Sequence, residues 1–337
     1  FFFAFLSKCE MLNSGIRSPG LILCDPQWPC GLGCTVHKFL ICLYIATQVH
    51  KPMMLCQPTY PLVGGWEKWF QMPRCRWPYG LNAQDNNPAL CLSRTRGCVD
   101  ETDKMESYRL TVHEKLPTPE DVTENPQETS WFTNWSQESI MISWARNWRA
   151  QRAWLRHVGV NLTSASNLVP SLMSPTAYLT RSLTALKQRL HFVHPIVAIH
   201  VRRGDAKLET VYHPLEKYFE QAQRFFLSTL CSKDCNGRRR VFLMSDSRSI
   251  FEEASRKYVS EYEILSVDEG RAMRSWHVPE DNALAISDVM LASQADYFIG
   301  TATSQLSRLV VELLCSRRPE HCFERVHFVD GHQWSLL

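Results

Sequence analysis

After about residue 190 the chain alternates short apolar runs with amphipathic stretches of helical length, and this restricts it to a parallel α/β sheet more than any other feature. Pro195-Ile196-Val197-Ala198-Ile199-His200-Val201 is a continuous apolar run of the buried-strand type, and the segment from Pro214 through Leu230 reads as a helix. Strands are then expected over Arg240 to Met244, Tyr262 to Leu265, Asp296 to Gly300 and Arg325 to Val329. Helices are expected over Ser249 to Tyr258, Asp281 to Ser293 and Ser304 to Leu314. Strands separated by helices of this length form right-handed crossovers, so this half is predicted to be a doubly wound, nucleotide-binding type of domain. Its ligand belongs beyond the carboxyl ends of the strands.

The first half is less regular. A length of 337 residues favours two domains, divided here into 1–190 and 191–337. From Val36, the apolar positions Phe39, Leu40, Leu43 and Tyr44 predict a helix, preceded by the small residues Gly31, Gly33 and Thr35. Residues 81–130, broken by Pro88, Pro117, Pro119 and Pro126, read as loop or insertion. Residues 136–157 read as a helix, with Met141, Trp144, Trp148 and Leu155 on one stripe and Arg146, Arg149, Arg152 and Arg156 on another. The arginine stripe is read as a solvated face, with acceptor or partner contact as the lesser alternative.

With 45% hydrophobic and 21% charged residues, the composition is that of an ordinary globular protein. A net charge of +3 gives no broad attraction to nucleic acid, so none is expected as a partner. Thirteen cysteines, with six between Cys9 and Cys56, point to an oxidising compartment. The glycosylation sequons at Asn134 and Asn161 point the same way. The opening run Phe1 to Leu6 falls short of the ~20 residues a membrane span needs, so any anchor or signal is expected upstream.

The chemistry concentrates where the strand ending at Val201 delivers Arg202, Arg203, Asp205, Lys207 and Glu209 to the ligand edge. A pair of guanidinium groups there suits a diphosphate, because each is always charged and donates parallel hydrogen bonds to phosphate oxygens. The other reading of Arg-Arg-x-Asp is a surface salt-bridge cluster. His200, within an apolar strand, reads equally as a satisfied core histidine, and Glu209 as an exposed loop carboxylate. No glycine-rich dinucleotide fingerprint, P-loop or Asp-x-Asp metal motif is present. Arginine would then neutralise a departing diphosphate, and no metal is expected.

His200-Val201-Arg202-Arg203-Gly204-Asp205, then Glu209, then His213-Pro214-Leu215-Glu216-Lys217-Tyr218, resembles the donor-binding segment of the α-1,6-fucosyltransferases that core-fucosylate N-glycans. The resemblance continues in Phe242 to Asp246, Ser287-Asp288, Leu291 to Asp296 and Thr303-Ser304-Gln305. It reappears upstream in Cys30-Gly31-Leu32-Gly33-Cys34 with His37, and in Gly64-Gly65-Trp66-Glu67. It implies two facing Rossmann-like α/β domains of the GT-B kind, with residues 1–190 on the acceptor side and 191–337 binding the GDP-sugar. It also implies inverting, metal-independent transfer of fucose from GDP-fucose to the 6-hydroxyl of the innermost GlcNAc of N-glycans on glycoproteins. By the same resemblance His200 and Asp288 contact guanine, and Arg202 and Arg203 hold the diphosphate and fucose. Asp246, Ser304 and Gln305 complete the donor pocket, Glu209 is the base, and Asp205 and Lys207 join the catalytic group. The Golgi lumen, or secretion, is the implied location.

Several positions depart from the family pattern. Ala206 stands where a lysine is usual, with Lys207 one place on, and Ser247 replaces a second acidic residue. Gly300 and Ser307 occupy places where the family carries a disulfide, and the SH3-like module that ordinarily closes the family's chain does not follow before Leu337. Transfer to a protein hydroxyl or another glycan is therefore an alternative, as is a catalytically weak glycan-binding protein. The resemblance suggests disulfides Cys9–Cys75, Cys24–Cys42 and Cys30–Cys34. Proximity alone suggests Cys91–Cys98, Cys231–Cys235 and Cys315–Cys322, leaving Cys56 free. Zinc binding by Cys30, Cys34 and His37 is the competing use of the first cluster.

Overall fold

A computed structural model describes residues 22–25, 31–48, 53–56, 66–71, 90–91, 107–112, 139–144, 167–203, 211–230, 239–267 and 279–331. Two five-stranded sheets organise them, and every strand pair in both is parallel.

The first sheet contains β1 (Ile22–Asp25), β2 (Met53–Cys56), β3 (Leu90–Cys91), β4 (Ser107–Val112) and β5 (Ser139–Trp144), in the order β3-β2-β1-β5-β4. Helix α1 (Leu32–Gln48) forms the crossover from β1 to β2 and matches the helix expected from Val36. The short α2 (Trp66–Trp69) follows β2.

Two expectations fail in this sheet. Residues 139–144, assigned to a helix, form β5, which pairs with β1 on one side and β4 on the other. The run Ser-Ile-Met-Ile-Ser-Trp is rich in β-branched and apolar side chains, and a short run of that kind satisfies helix and strand periodicity equally. The remainder of 136–157 lies outside the described residues. Within 81–130, taken as loop, β3 and β4 are strands; Tyr108, Leu110 and Val112 alternate with Ser107, Arg109 and Thr111 at the two-residue period of a strand.

The second half follows the expected alternation closely. After α3 (Val169–Leu172) and α4 (Ala177–Arg189) come β6 (Ile196–Val201), α5 (Leu215–Leu230), β7 (Arg239–Ser245), α6 (Arg248–Tyr258) and β8 (Tyr262–Leu265). Then follow α7 (Pro279–Ala292), β9 (Tyr297–Gly300), α8 (Gln305–Arg317), a 3-10 turn (Cys322–Arg325) and β10 (Val326–Phe328). Strand order is β10-β9-β6-β7-β8. From β6 the chain winds outward to β7 and β8, then crosses back to β9 on the other side. That reversal between β6 and β9 is the topological switch point where such sheets bind ligands.

Residue parity on β6 separates the two faces. Ile196 and Ala198 join Phe242, Met244 and Phe298 in one buried cluster, covered by α7, α8 and also by α1, α3 and α4. Val197, Ile199 and Val201 join Val241, Leu243 and Ile299 in a second cluster, covered by α5 and α6. On α5 the buried positions Leu215, Tyr218, Phe219, Ala222 and Phe226 recur three and four apart, which lays one stripe on the sheet. The first cluster runs without interruption from α1 through α4 into β6.

The contact between α1 and α8 ties the N-terminal part to this sheet. Gly33 lies so close to the start of α8 that a Cβ there would stand 2.6 Å from the Gln305 carbonyl carbon. One turn on, His37 Nε2 meets both oxygens of buried Glu312, at 3.1 and 3.0 Å, while Nδ1 meets the Gly33 carbonyl at 2.6 Å. Both ring nitrogens thus face oxygen acceptors, one on its own helix and one on α8. Glu312→Leu is expected to destabilise the chain by about 1–3 kcal/mol, since it leaves the part-buried His37 Nε2 without its acceptor. The double variant His37→Leu/Glu312→Leu should recover part of that loss, a coupling readable from urea melts of the four proteins in the cycle.

The zinc reading of the first cysteine cluster does not hold. Cys34 is disulfide-bonded, as is Cys42, and a disulfide sulfur is not the thiolate a metal needs. His37 is occupied by Gly33 and Glu312. Cys315 and Cys322 form the expected disulfide, joining the last turn of α8 to the 3-10 turn. The other pairings fall on residues or side chains outside those described. No helix among the described residues is long and apolar enough to cross a membrane.

Candidate active site

A pocket opens at the carboxyl ends of β6, β7 and β8, floored by these strands and walled by α7. It gathers His200 and Arg202 from β6 and its extension, Asp246 after β7, Ser266 and Val267 after β8, and Asp281 and Asp288 from α7. Four residues singled out from sequence, His200, Arg202, Asp246 and Asp288, thus converge in one place. They come from three segments more than forty residues apart in the chain, and the parallel sheet is what brings them together.

The register explains part of this convergence. His200 pairs with Met244 and Val201 with Ser245, so the next step places Arg202 opposite Asp246. The Arg202 guanidinium accordingly ion-pairs with the Asp246 carboxylate through Nη1 and Oδ2. The other oxygen, Oδ1, accepts the backbone N–H of Arg203 at 2.7 Å. Asp246 is thereby the anchor for the end of β6.

The two arginines were expected to grip one diphosphate side by side, but their side chains part company. Successive residues of an extended strand face opposite ways. Arg202 has the parity of His200 and faces the pocket, whereas Arg203 has the parity of Val201 and turns toward α5. Its guanidinium carbon stacks 3.6 Å from the centre of the Tyr212 ring, and Nη2 donates to the His213 carbonyl. Arg203 is only 9% exposed, its Nε has no partner, and no carboxylate among the described residues pairs with it. Tyr218 stands beside it, with burial pushing its phenol up to about 12.

His200 is 3% exposed, and Nδ1 meets the Ser307 hydroxyl at 2.7 Å. Burial, opposed by the Asp246 carboxylate and assisted by Arg202, pushes its imidazole down to about 4. The ring is therefore neutral near pH 7. Ser307 is fully buried against Gly300, where a Cβ would lie 2.7 Å from its Oγ. The two positions at which the family carries a disulfide are therefore in contact here, and a hydrogen-bonded hydroxyl occupies the space.

Ser304 caps α8 with an extended backbone, and Gln305 opens the helix. Neither is among the residues that line the pocket, to which this helix contributes Leu306. The preceding loop is held by Asp330, whose carboxylate accepts the backbone N–H of Ala302 at 3.1 Å and of Thr303 at 3.0 Å. Sequence reasoning missed Asp330 and also Asp281. Asp281, Leu284, Ala285 and Asp288 recur at the three-, four- and seven-residue spacing of one helix face, a signal present in the sequence. Nothing in the sequence marks Asp330. Asp205, Lys207 and Glu209 lie outside the described residues.

Paired all-parallel Rossmann-like sheets of this kind define the fold of the GT-B glycosyltransferases. Two solved structures share it: POFUT1 in complex with GDP (TM-score 0.52, 12% identity, covering 93% of this chain and 99% of that one) and an Arabidopsis thaliana FUT1 mutant in complex with GDP (TM-score 0.53, 11% identity, covering 91% and 71%). Residues 157–330 match the family of alpha-(1,6)-fucosyltransferase N- and catalytic domains, and the chain belongs to that family. Among its curated relatives, the alpha-(1,6)-fucosyltransferase of Drosophila melanogaster is 26% identical over 315 residues, covering 89% of this chain and 44% of that protein. The Caenorhabditis elegans alpha-(1,6)-fucosyltransferase is 26% identical over 195 residues, covering 51% and 34%. The chain spans less than half the length of these relatives.

Proposed function

We propose that the chain transfers fucose from GDP-fucose to the 6-hydroxyl of the innermost GlcNAc of N-glycans, with inversion and without a metal ion. The convergence of His200, Arg202, Asp246 and Asp288 in one pocket, at the carboxyl edge of a family-matched sheet, is the observation that carries this reading. In it, guanine lies between His200 and Asp288, whose carboxylate accepts from the N1–H and the 2-amino group. Arg202 takes the diphosphate from within the pocket, and Arg203 reaches the diphosphate and fucose from the α5 side of β6, with Ser304 and Gln305 at the helix start beside them. Arg202 exchanges part of its pairing with Asp246 for phosphate, and Arg203 supplies a charge that no carboxylate among the described residues neutralises. Glu209 removes the proton of the 6-hydroxyl as its oxygen forms a bond to the anomeric carbon. The bond from that carbon to GDP breaks, and the electron pair leaves with the diphosphate. Asp205 and Lys207 act with Glu209. A Golgi-lumen setting agrees with the disulfides at Cys34, Cys42 and Cys315–Cys322.

The test is turnover with purified chain, GDP-fucose and a GlcNAc-terminated biantennary glycopeptide in EDTA. Fucosylated product is expected, and Glu209→Gln should lower kcat by roughly 10²–10⁴-fold with little change in KM for the donor. GDP binding without turnover by the wild type would replace this reading with that of a glycan-binding relative.

A further inference from the structure

We propose that Ser307 fixes the tautomer of His200, so that the imidazole presents an Nε2–H donor to the pocket and selects a purine with a hydrogen-bond acceptor at the matching edge. The argument begins with the donors and acceptors around one hydroxyl. Among the described residues Ser307 Oγ has two partners: the Thr301 backbone N–H, which donates to it at 3.4 Å, and His200 Nδ1 at 2.7 Å. A backbone N–H only donates, so it leaves the hydroxyl proton with a single acceptor, Nδ1. Were Nδ1 instead protonated and donating, that hydroxyl hydrogen would be buried with nothing to receive it, at a cost of ~1–3 kcal/mol. The relay therefore runs from Thr301 N–H to Ser307 Oγ and from Ser307 Oγ–H to His200 Nδ1.

With Nδ1 accepting and the ring neutral, the remaining proton resides on Nε2. Among the described residues no group bonds to that nitrogen, and His200 lines the pocket shared with Asp288. A donor and a carboxylate acceptor within one cleft match guanine, which offers the 6-oxo acceptor beside the N1–H and 2-amino donors. They mismatch adenine, whose 6-amino group would confront a second donor. Gly300 is part of the device, because a side chain there would meet Ser307 Oγ at 2.7 Å and the Phe298 ring at 2.9 Å. Ser307 touches no substrate in this scheme and acts through His200, so it is a positioning residue. The base selectivity rests on the proposed GDP site, whereas the tautomer stands independently of it.

Long-range ¹H–¹⁵N correlation of the histidine rings, on the chain without nucleotide, tests the first half. The expected signature for His200 is protonated Nε2 and bare Nδ1, shifting toward a mixture of tautomers in Ser307→Ala and returning in Ser307→Thr. A protonated Nδ1 in the wild type overturns the proposal, whatever the variants do. Calorimetry with GDP and ADP tests the second half: Ser307→Ala should weaken GDP roughly fivefold to tenfold, the worth of one neutral hydrogen bond, and narrow the gap to ADP. In turnover, the KM for GDP-fucose should rise while kcat stays near wild type. Unchanged GDP-over-ADP preference in Ser307→Ala overturns the selectivity role, and failure of the wild type to bind GDP overturns the donor site while leaving the tautomer result intact.

Discussion

Arg203→Lys is expected to lower fucose transfer by about 10²–10³-fold, the usual cost of removing one electrostatic contact to a developing charge. Arg203 is buried, stacks 3.6 Å from Tyr212 and donates to the His213 carbonyl, yet no carboxylate among the described residues balances it. A buried cation is stable when an anion completes it, and a diphosphate is the anion the proposed donor brings. Lysine keeps the charge but loses the planar group that stacks on the ring while donating in several directions. The same logic makes GDP a stabiliser of the wild type, by about 2.7 kcal/mol at a hundredfold excess over Kd, an increment the lysine variant should largely lose. Near wild-type rates in Arg203→Lys would remove Arg203 from the diphosphate site.

The second large effect is expected far from the pocket in sequence. Gly33→Ala should destabilise the chain by about 3 kcal/mol, the upper part of the range for overpacking a tight contact. An added Cβ would stand 2.6 Å from the Gln305 carbonyl carbon, 2.7 Å from its oxygen and 2.7 Å from the Leu306 nitrogen. All three are backbone atoms, so no rotamer change relieves the clash, and α1 must move away from the start of α8. That movement also displaces Ser304 and Gln305, so donor affinity should fall along with stability. Gly31→Ala, two residues away with nothing within 4 Å of the added methyl, is the matched control and should melt like the wild type. Equal melting of the two variants would show that the close approach of the helices carries no weight.

These residues also show what a sequence of this kind discloses. The second sheet was legible because its strands are compact apolar runs separated by stretches of helical length; β6, β7, β8 and β9 all fall within about a residue of expectation. The first sheet was not, because β1, β2 and β3 have at most four residues each and are set among cysteines and prolines. The run forming β5 suited either period, and its pairing to β1 and β4 decides the outcome, a long-range fact no local window contains. In the site, residue types were readable but directions were not. Adjacent arginines suggest a single clamp until β6 parity sends Arg202 to the pocket and Arg203 to Tyr212. Gly33 and His37 were visible as motif residues, whereas their reason, the contact with Gln305 and Glu312 almost three hundred residues away, required the fold.

Calorimetric titration of GDP into the intact chain, with ADP and UDP as comparators, most directly tests whether the carboxyl edge of the second sheet is a GDP-sugar site. The account predicts saturable binding of GDP, with ADP weaker by at least about tenfold because its amino group leaves buried polar atoms unpaired. It also predicts loss of that preference in Asp288→Ala. No binding of GDP, or equal affinity for the three nucleotides, would contradict it.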